Sequence, residues 1–152
     1  WTTVFAELGR ESEVEGFLSF LASCPPGKMN QEILSLIEIL KRKGYKTGLL
    51  SNNTSSGASE ARSFGVDNIF EIALFSAEVG AMKPHKDAFD LLAGKLGVDI
   101  SEMIFIDDAE KSLEKAYEIG YHPILYTDMR QLLGDLVHLK ILTQDEIEHF
   151  VS

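Results

Sequence analysis

The chain has 152 residues, with 14 Lys and Arg against 24 Asp and Glu, giving a formal net charge of −10. That acidic balance excludes a nucleic-acid partner, which needs concentrated Lys and Arg, and 45% hydrophobic with 25% charged residues excludes a disordered chain. No apolar run approaches the roughly 20 residues of a membrane-spanning helix, and the single Cys24 has no internal disulfide partner, so a cytoplasmic setting is expected. The chain opens on Trp1 without an initiator methionine, as a fragment or a processed product would.

In chain order, residues 1–23 read as two short amphipathic helices. Trp1, Val4, Phe5 and Leu8 share one face, Gly9 interrupts, and Val14, Phe17, Leu18 and Leu21 share another. Cys24-Pro25-Pro26-Gly27 cannot continue a helix, so residues 1–27 are expected to be a helical appendage with its linker, and 28–152 an α/β core. Asn30 caps a helix in which Ile33, Leu34, Ile37 and Leu40 recur at helical spacing, up to Lys41, Arg42, Lys43 and the terminating Gly44. A strand is predicted over 46–50, a weaker helix over 56–64, a strand over 72–75 and a helix over 87–96 with Phe89, Leu92 and Leu96 inward. Met103-Ile104-Phe105-Ile106 is unbroken in apolar character, as a strand buried on both faces of a parallel sheet is. A helix over 110–119 ends at Gly120, a strand covers 122–126, Asp128 caps a helix to about Val137, and Thr143 with Glu146 forms a capping box for the last helix. Alternating strands and helices on this scale imply a doubly wound parallel sheet.

Ligands of open α/β sheets bind beyond the carboxyl ends of the strands, so the polar residues just past each strand matter most. Ser51 and Asn52 come after the 46–50 strand, Lys83-Pro84 after the 72–75 strand and a short loop, and Asp107-Asp108 after Ile106. A hydroxyl, an ammonium and two carboxylates on one edge suit a phosphoryl group with Mg²⁺: donors hold phosphate oxygens, the lysine offsets their charge, and the acids ligate the cation. Taken singly, Ser51 with its asparagines is an ordinary turn and Lys83-Pro84 an ordinary helix approach. The adjacent Asp107 and Asp108 repel one another and require a compensating cation or a wet loop.

In this order the motifs resemble those of the haloacid dehalogenase-like superfamily of hydrolases. Tyr45 to Asn52 is similar to its second motif, Ser76 to Pro84 to its third, and Ile104 to Asp108, with Ala116 and Gly120 beyond, to its fourth. The resemblance covers about 29–128 and implies a Rossmann-like core, with residues 1–27 the end of a small helical cap. It implies a Mg²⁺-dependent phosphatase of a small phosphorylated metabolite, in which Ser51, Asn52 and Lys83 bind phosphate and Asp107 and Asp108 bind the metal, Asp108 directly. Ser51, Lys83 and Asp108 are the expected catalytic set. The dehalogenases of the superfamily work without Mg²⁺ and lack the adjacent acid pair. His85 stands where the family usually has an acid, and Ser112 where it often has Asn.

The family nucleophile is the first aspartate of an Asp-x-Asp pattern that ends its first, central strand, and this sequence contains no Asp-x-Asp. Were Val4 to Gly9 a degenerate first strand, Ala6 and Leu8 would stand at the two acidic positions. The expectation is therefore a core with a vacancy between the strands carrying Ser51 and Asp107, and a chain inactive by itself. Its vacancy calls for the rest of a longer protein, a strand-swapped or complementing partner, or a different closure of the sheet. A non-catalytic phosphate- or partner-binding domain is the alternative. A receiver-type signalling domain fits less well, because there the acid pair comes early and Lys-Pro last. Tyr45, Tyr117, Tyr121 and Tyr126 read as packing aromatics, and the acidic run from Asp145 to Glu148 as a solvated helix face.

Overall fold

The computed structural model describes residues 30–151. The expected N-terminal helices, the Cys24–Gly27 linker and the Ala6/Leu8 positions lie outside these residues. Helix α1 (Gln31–Arg42) starts as predicted: the Asn30 side-chain oxygen accepts from the Glu32 and Ile33 N–H groups at 2.9 and 3.3 Å. Its buried face is broader than the predicted stripe, taking in Leu36 and Ile39 beside Ile37.

Strand β1 (Gly48–Ser51) begins two residues later than expected and includes Ser51. Ahead of it, Thr47 N–H donates to Glu71 Oε1 (3.2 Å) and Glu71 N–H donates to the Thr47 carbonyl (3.0 Å), so the residue before each strand is tied across. Helix α2 (Ser55–Ser63) is capped by Thr54, whose hydroxyl accepts from Gly57 N–H at 3.2 Å. A short helix α3 (Val66–Ile69) leads to β2 (Ile72–Phe75), at the bounds predicted, and then comes a single turn α4 (Ser76–Val79). Helix α5 (Lys86–Leu96) brings Phe89, Leu92 and Leu96 inward as expected. It lies so close to β1 that a Cβ on Gly48 would sit 2.9 Å from Leu92 Cδ1 and 3.1 Å from Leu96 Cδ1.

Strand β3 (Ile104–Asp107) is shifted one residue from the prediction, so that Asp107 ends the strand. The helix expected over 110–119 is two short helices, α6 (Glu110–Leu113) and α7 (Ala116–Ile119). The Ser112 carbonyl, which a continuous helix would offer to Ala116 N–H, instead accepts from the Tyr121 hydroxyl at 3.3 Å. Strand β4 (His122–Leu125), helix α8 (Met129–His138) capped by Asp128, and helix α9 (Gln144–Val151) complete the chain. The Thr143–Glu146 capping box is present: Thr143 N–H donates to Glu146 Oε2 (2.7 Å) and Glu146 N–H to Thr143 Oγ1 (3.4 Å). Glu146 is not merely solvated, because it also accepts from Lys43 Nζ at 2.8 Å and ties α9 to the end of α1. Of the four tyrosines, Tyr121 is buried and Tyr126 packs on the core, whereas Tyr45 and Tyr117 are exposed and correct the packing expectation.

All strand pairing is parallel, β1 with β2 and β3 with β4, and helices cover both faces. One face is a single cluster spanning both pairs, in which Leu50 and Leu74 meet α5, Phe105, Ile119 and Tyr121. On the other face α2 and α3 cover β2 around Phe75, while α1, α8 and α9 cover β3 and β4. Between the pairs the sheet is interrupted: among the described residues β1 and β3 do not pair with each other. A cavity of about 660 Å³ opens between the start of β1 and β3, lined by Lys46, Thr47 and Gly48 on one side, by Glu102 and Met103 to Ile106 on the other, and by Leu92, Leu96 and Leu136 from the helices. The Thr47 hydroxyl on its wall is buried without a hydrogen-bond partner among the described residues. No helix among them is long and apolar enough to cross a membrane.

Candidate active site

Ser51 and Asp107 are the last residues of β1 and β3, and these two strand ends are linked through Lys83, which contacts both Asn52 and Asp107. Lys83 arrives from the loop between α4 and α5, where the Lys83–Pro84 peptide is cis and His85 N–H closes a turn onto the Met82 carbonyl (2.9 Å). Its ammonium forms an ion pair with Asp107 Oδ2, both side chains being almost enclosed at 11% and 9% exposure. The other Asp107 oxygen accepts from Ala109 N–H at 2.9 Å, which fixes the carboxylate in the turn after β3. Asp108 is exposed. Lys83 thus supplies Asp107 with the compensating charge that the adjacent acids require, and the pair does not by itself demand a metal.

Beneath this ion pair lies an aromatic floor. The Lys83 ammonium stands 5.3 Å from the centroid of the Phe105 ring, a cation–π distance. Phe89 meets Phe105 edge-to-face (5.0 Å, 81°) and stacks on Tyr121 (4.5 Å, 21°). Burial pushes the Tyr121 phenol up to about 12, and the nearby negative charge of Asp107 adds to the shift. Tyr121 is therefore a neutral donor to the Ser112 carbonyl.

The loop after β1 is joined to the Lys83 segment by side chains. Asn52 Nδ2 donates to the Lys83 carbonyl and Asn52 Oδ1 accepts from Lys83 N–H, each at 2.9 Å. One residue on, Ser76 Oγ accepts from Asn53 N–H (3.0 Å) and donates to the Asn53 carbonyl (3.2 Å). Beside these contacts opens a second cavity of about 660 Å³, whose lining includes Asn52, Asn53, Thr54, Ser55, Ser76 and Met82 and no charged side chain.

Of the five residues singled out from sequence, the structure joins Asn52, Lys83 and Asp107 by contact, with Ser51 and Asp108 beside them in the chain, and it adds Ser76, Phe105 and Tyr121 to their surroundings. Ser76 stands immediately after Phe75, so it is found in the sequence once the first polar residue past each strand is taken along with the lysine. The acids present are two neighbouring carboxylates, a hard-oxygen donor set suited to Mg²⁺ but incomplete. No group of three or more His, Cys, Asp or Glu gathers among the described residues.

Residues 4–114 match the family model described as hydrolase, haloacid dehalogenase-like hydrolase. Phosphoglycolate phosphatase of Haemophilus influenzae is 26% identical over 98 residues, which cover 64% of this chain and 44% of that protein. The chain thus spans less than half the length of that curated relative. An uncharacterized protein of Corynebacterium glutamicum superposes with a TM-score of 0.66 at 22% identity, over 79% of this chain and 90% of the other. A family enzyme of Bacteroides thetaiotaomicron, crystallised as an aspartate-to-alanine variant with magnesium and inorganic phosphate, superposes with a TM-score of 0.57 at 29% identity, over 68% of this chain and 58% of the other. With more than half its length matched by the family model and a Rossmann-like parallel core beneath its motifs, the chain belongs to the haloacid dehalogenase-like hydrolases, phosphohydrolases among them.

Proposed function

We propose that this chain is the phosphate- and metal-binding part of a Mg²⁺-dependent phosphohydrolase acting on a small phosphorylated metabolite. The observation that carries the reading is the Lys83–Asp107 ion pair at the carboxyl edge of an interrupted sheet, with Ser51 ending the facing strand. In this reading the Ser51 hydroxyl and the Asn52 backbone N–H hold two phosphoryl oxygens, and Lys83 offsets the charge of phosphate and nucleophile together. Asp107 and Asp108 would hold Mg²⁺, which would supply charge neutralisation when bound. The uncharged cavity beside Asn52 receives the body of the substrate.

The remaining groups come from a strand outside the described residues that lies between β1 and β3. The cavity there, walled by Gly48 and by Met103 to Ile106, supports such an occupant. Its terminal aspartate attacks phosphorus as the ester P–O bond breaks, and the second acid of Asp-x-Asp protonates the departing alkoxide. Water deprotonated by that same acid then attacks the aspartyl-phosphate, releasing inorganic phosphate and restoring the carboxylate.

The test is Mg²⁺-dependent hydrolysis of an aryl phosphate by a protein that includes the strand upstream of this chain. Hydrolysis abolished by Lys83→Met is expected. An upstream sequence without Asp-x-Asp, or an extended protein without activity, overturns the catalytic reading. Since the 152 residues contain no Asp-x-Asp, the chain alone is expected to bind phosphate or Mg²⁺ without turnover, the behaviour of a binding domain.

A further inference from the structure

The ammonium of Lys83 is held by Asp107 and by the face of Phe105, but neither contact fixes the main chain from which it projects. That segment is held elsewhere. The Asn52 amide grips both polar atoms of the Lys83 main chain, and it does so across 31 positions of sequence. An amide side chain has a donor and an acceptor side by side, so it can pair with a backbone N–H and C=O as a neighbouring strand would. The β1–β2 ladder ends at Ser51 opposite Phe75. Beyond it, Ser76 Oγ continues the pairing by binding both polar atoms of the Asn53 main chain, at 3.0 and 3.2 Å.

A third contact sets the loop from the other side. Asn53 Oδ1 accepts from Thr54 N–H at 2.8 Å and lies against Gly57 in the first turn of α2, where a Cβ would sit 2.1 Å from it. Asn53 can adopt this position only because residue 57 has no side chain.

From these contacts we infer that Asn52 and Ser76 are positioning residues that fix the Lys83 ammonium relative to Ser51. They extend the β1–β2 pairing through side chains so that the hydroxyl and ammonium sides of the site move as one body. Ser51 precedes Asn52 directly, and Asn52 grips Lys83 directly, so one side chain sets the separation of the two groups. The assignment to catalysis rests on the phosphate reading of Ser51 and Lys83; the mechanical coupling of Asn52 to Lys83 does not.

The experiment is competitive labelling of lysines in the whole chain with an amine-acylating reagent, read peptide by peptide by mass spectrometry. Lys46, whose ammonium donates to the Leu96 carbonyl at 2.6 Å, is the internal reference for general loosening. Asn52→Ala, which removes both hydrogen bonds to the Lys83 main chain, is expected to raise labelling of Lys83 by between about fivefold and thirtyfold relative to Lys46, the scale of one to two lost hydrogen bonds. Ser76→Ala is expected to raise it by a smaller factor, and Ser76→Thr, which keeps the hydroxyl, to restore the wild-type value. Asn52→Leu is the second variant should Asn52→Ala not fold. It keeps the side-chain volume and removes both hydrogen bonds without adding a charge beside the ammonium, so Lys83 labelling again rises. Lys83 labelling that stays at the wild-type value, or rises only in step with Lys46, overturns the inference. Inorganic phosphate added to the wild-type chain separates the two readings. Protection of Lys83 supports the phosphate site, whereas no protection counts against that site while the variants still decide the coupling.

Discussion

The two strand pairs hold their site residues by different means. At the end of β1, Asn52 and Asn53 are fixed by uncharged hydrogen bonds to the next loop, and no ionisable side chain takes part. At the end of β3, Asp107 is fixed by charge, and the cation is lent by the other pair's loop. The first arrangement is insensitive to pH and salt and places a backbone. The second is electrostatic, nearly enclosed, and holds only while both charges are present. Across the interruption of the sheet, the halves are joined by the cluster centred on α5 and by the Lys83–Asp107 bridge. The difference between the halves thus turns on the nature of the joint, the contribution of the bridge, and the tightness of packing in each half.

The strongest way to break it is to remove the joint. Phe89 is fully buried and touches Phe105 from one side and Tyr121 from the other. Phe89→Ala is expected to cost about 4 kcal/mol, through lost burial and the cavity left behind. In urea the transition is expected to lose cooperativity, as the halves unfold separately. A loss below about 1 kcal/mol, within the range of unremarkable substitutions, would mean that the halves are joined elsewhere.

The bridge comes next. Lys83→Met leaves the Asp107 carboxylate enclosed and uncompensated, which is expected to cost about 3 kcal/mol in chemical unfolding. Adding Asp107→Asn is expected to return most of that loss, since removing both charges also removes the penalty for burying them. Additive losses in the double variant would show that the two side chains do not depend on each other.

Two glycines set the packing of the loop after β1 against that of the joint. Both Gly57 and Gly94 lie in helices, where replacement by Ala ordinarily gains about 0.5–1 kcal/mol. A Cβ on Gly94 in α5 meets nothing within 4 Å, so Gly94→Ala is expected to show that gain. A Cβ on Gly57 would stand 2.1 Å from Asn53 Oδ1, so Gly57→Ala is expected to destabilise by about 1 kcal/mol. Thermal unfolding of the pair distinguishes these signs directly.

These contrasts were unequally legible in the sequence. Apolar strands and long amphipathic helices declare themselves locally, and so β2 and the caps at Asn30, Asp128 and Thr143 stand where periodicity and hydrogen-bonding chemistry predict. That Ser51 and Asp107 close their strands and Asp108 follows was legible to within a residue, because the apolar runs before them mark where those strands stop. The four-residue helices α3 and α4 were not predicted, since one turn carries too little periodicity to register. At the break between α6 and α7 the Ser112 carbonyl meets a hydroxyl from Tyr121, and the Asn52 side chain meets a partner 31 positions away. Such long-range pairings leave no trace in local pattern. Gly57 likewise looks like an ordinary helix-weakening residue until Asn53 is seen lying against it.

The smallest expected effect sets the exterior charges of the two halves side by side. In the first half Arg62 pairs with Glu78 and Asp67, and in the second Lys43 pairs with Glu146. The Arg62 guanidinium holds the Glu78 carboxyl below its ordinary value of 4.5, and Lys43, aided by Thr143 N–H, does the same for Glu146. A carboxyl whose value is lower in the folded than in the unfolded chain stabilises the fold fully above its ordinary value. That contribution is lost as the pH falls through the lower, folded value. Glu146→Gln is therefore expected to lower the melting temperature slightly at pH 7, with the gap from the wild-type chain closing as the pH drops below about 4.5. Added salt narrows the same gap, because both partners remain within reach of solvent. The uncharged Asn52 and Ser76 contacts obey neither dependence, so Asn52→Ala keeps the same shift in melting temperature at pH 7 and at pH 4. A shift for Asn52→Ala that tracks pH as the Glu146→Gln shift does would place an unrecognised charge in the loop after β1. It would erase the distinction between a strand end held by neutral hydrogen bonds and a strand end held by charge.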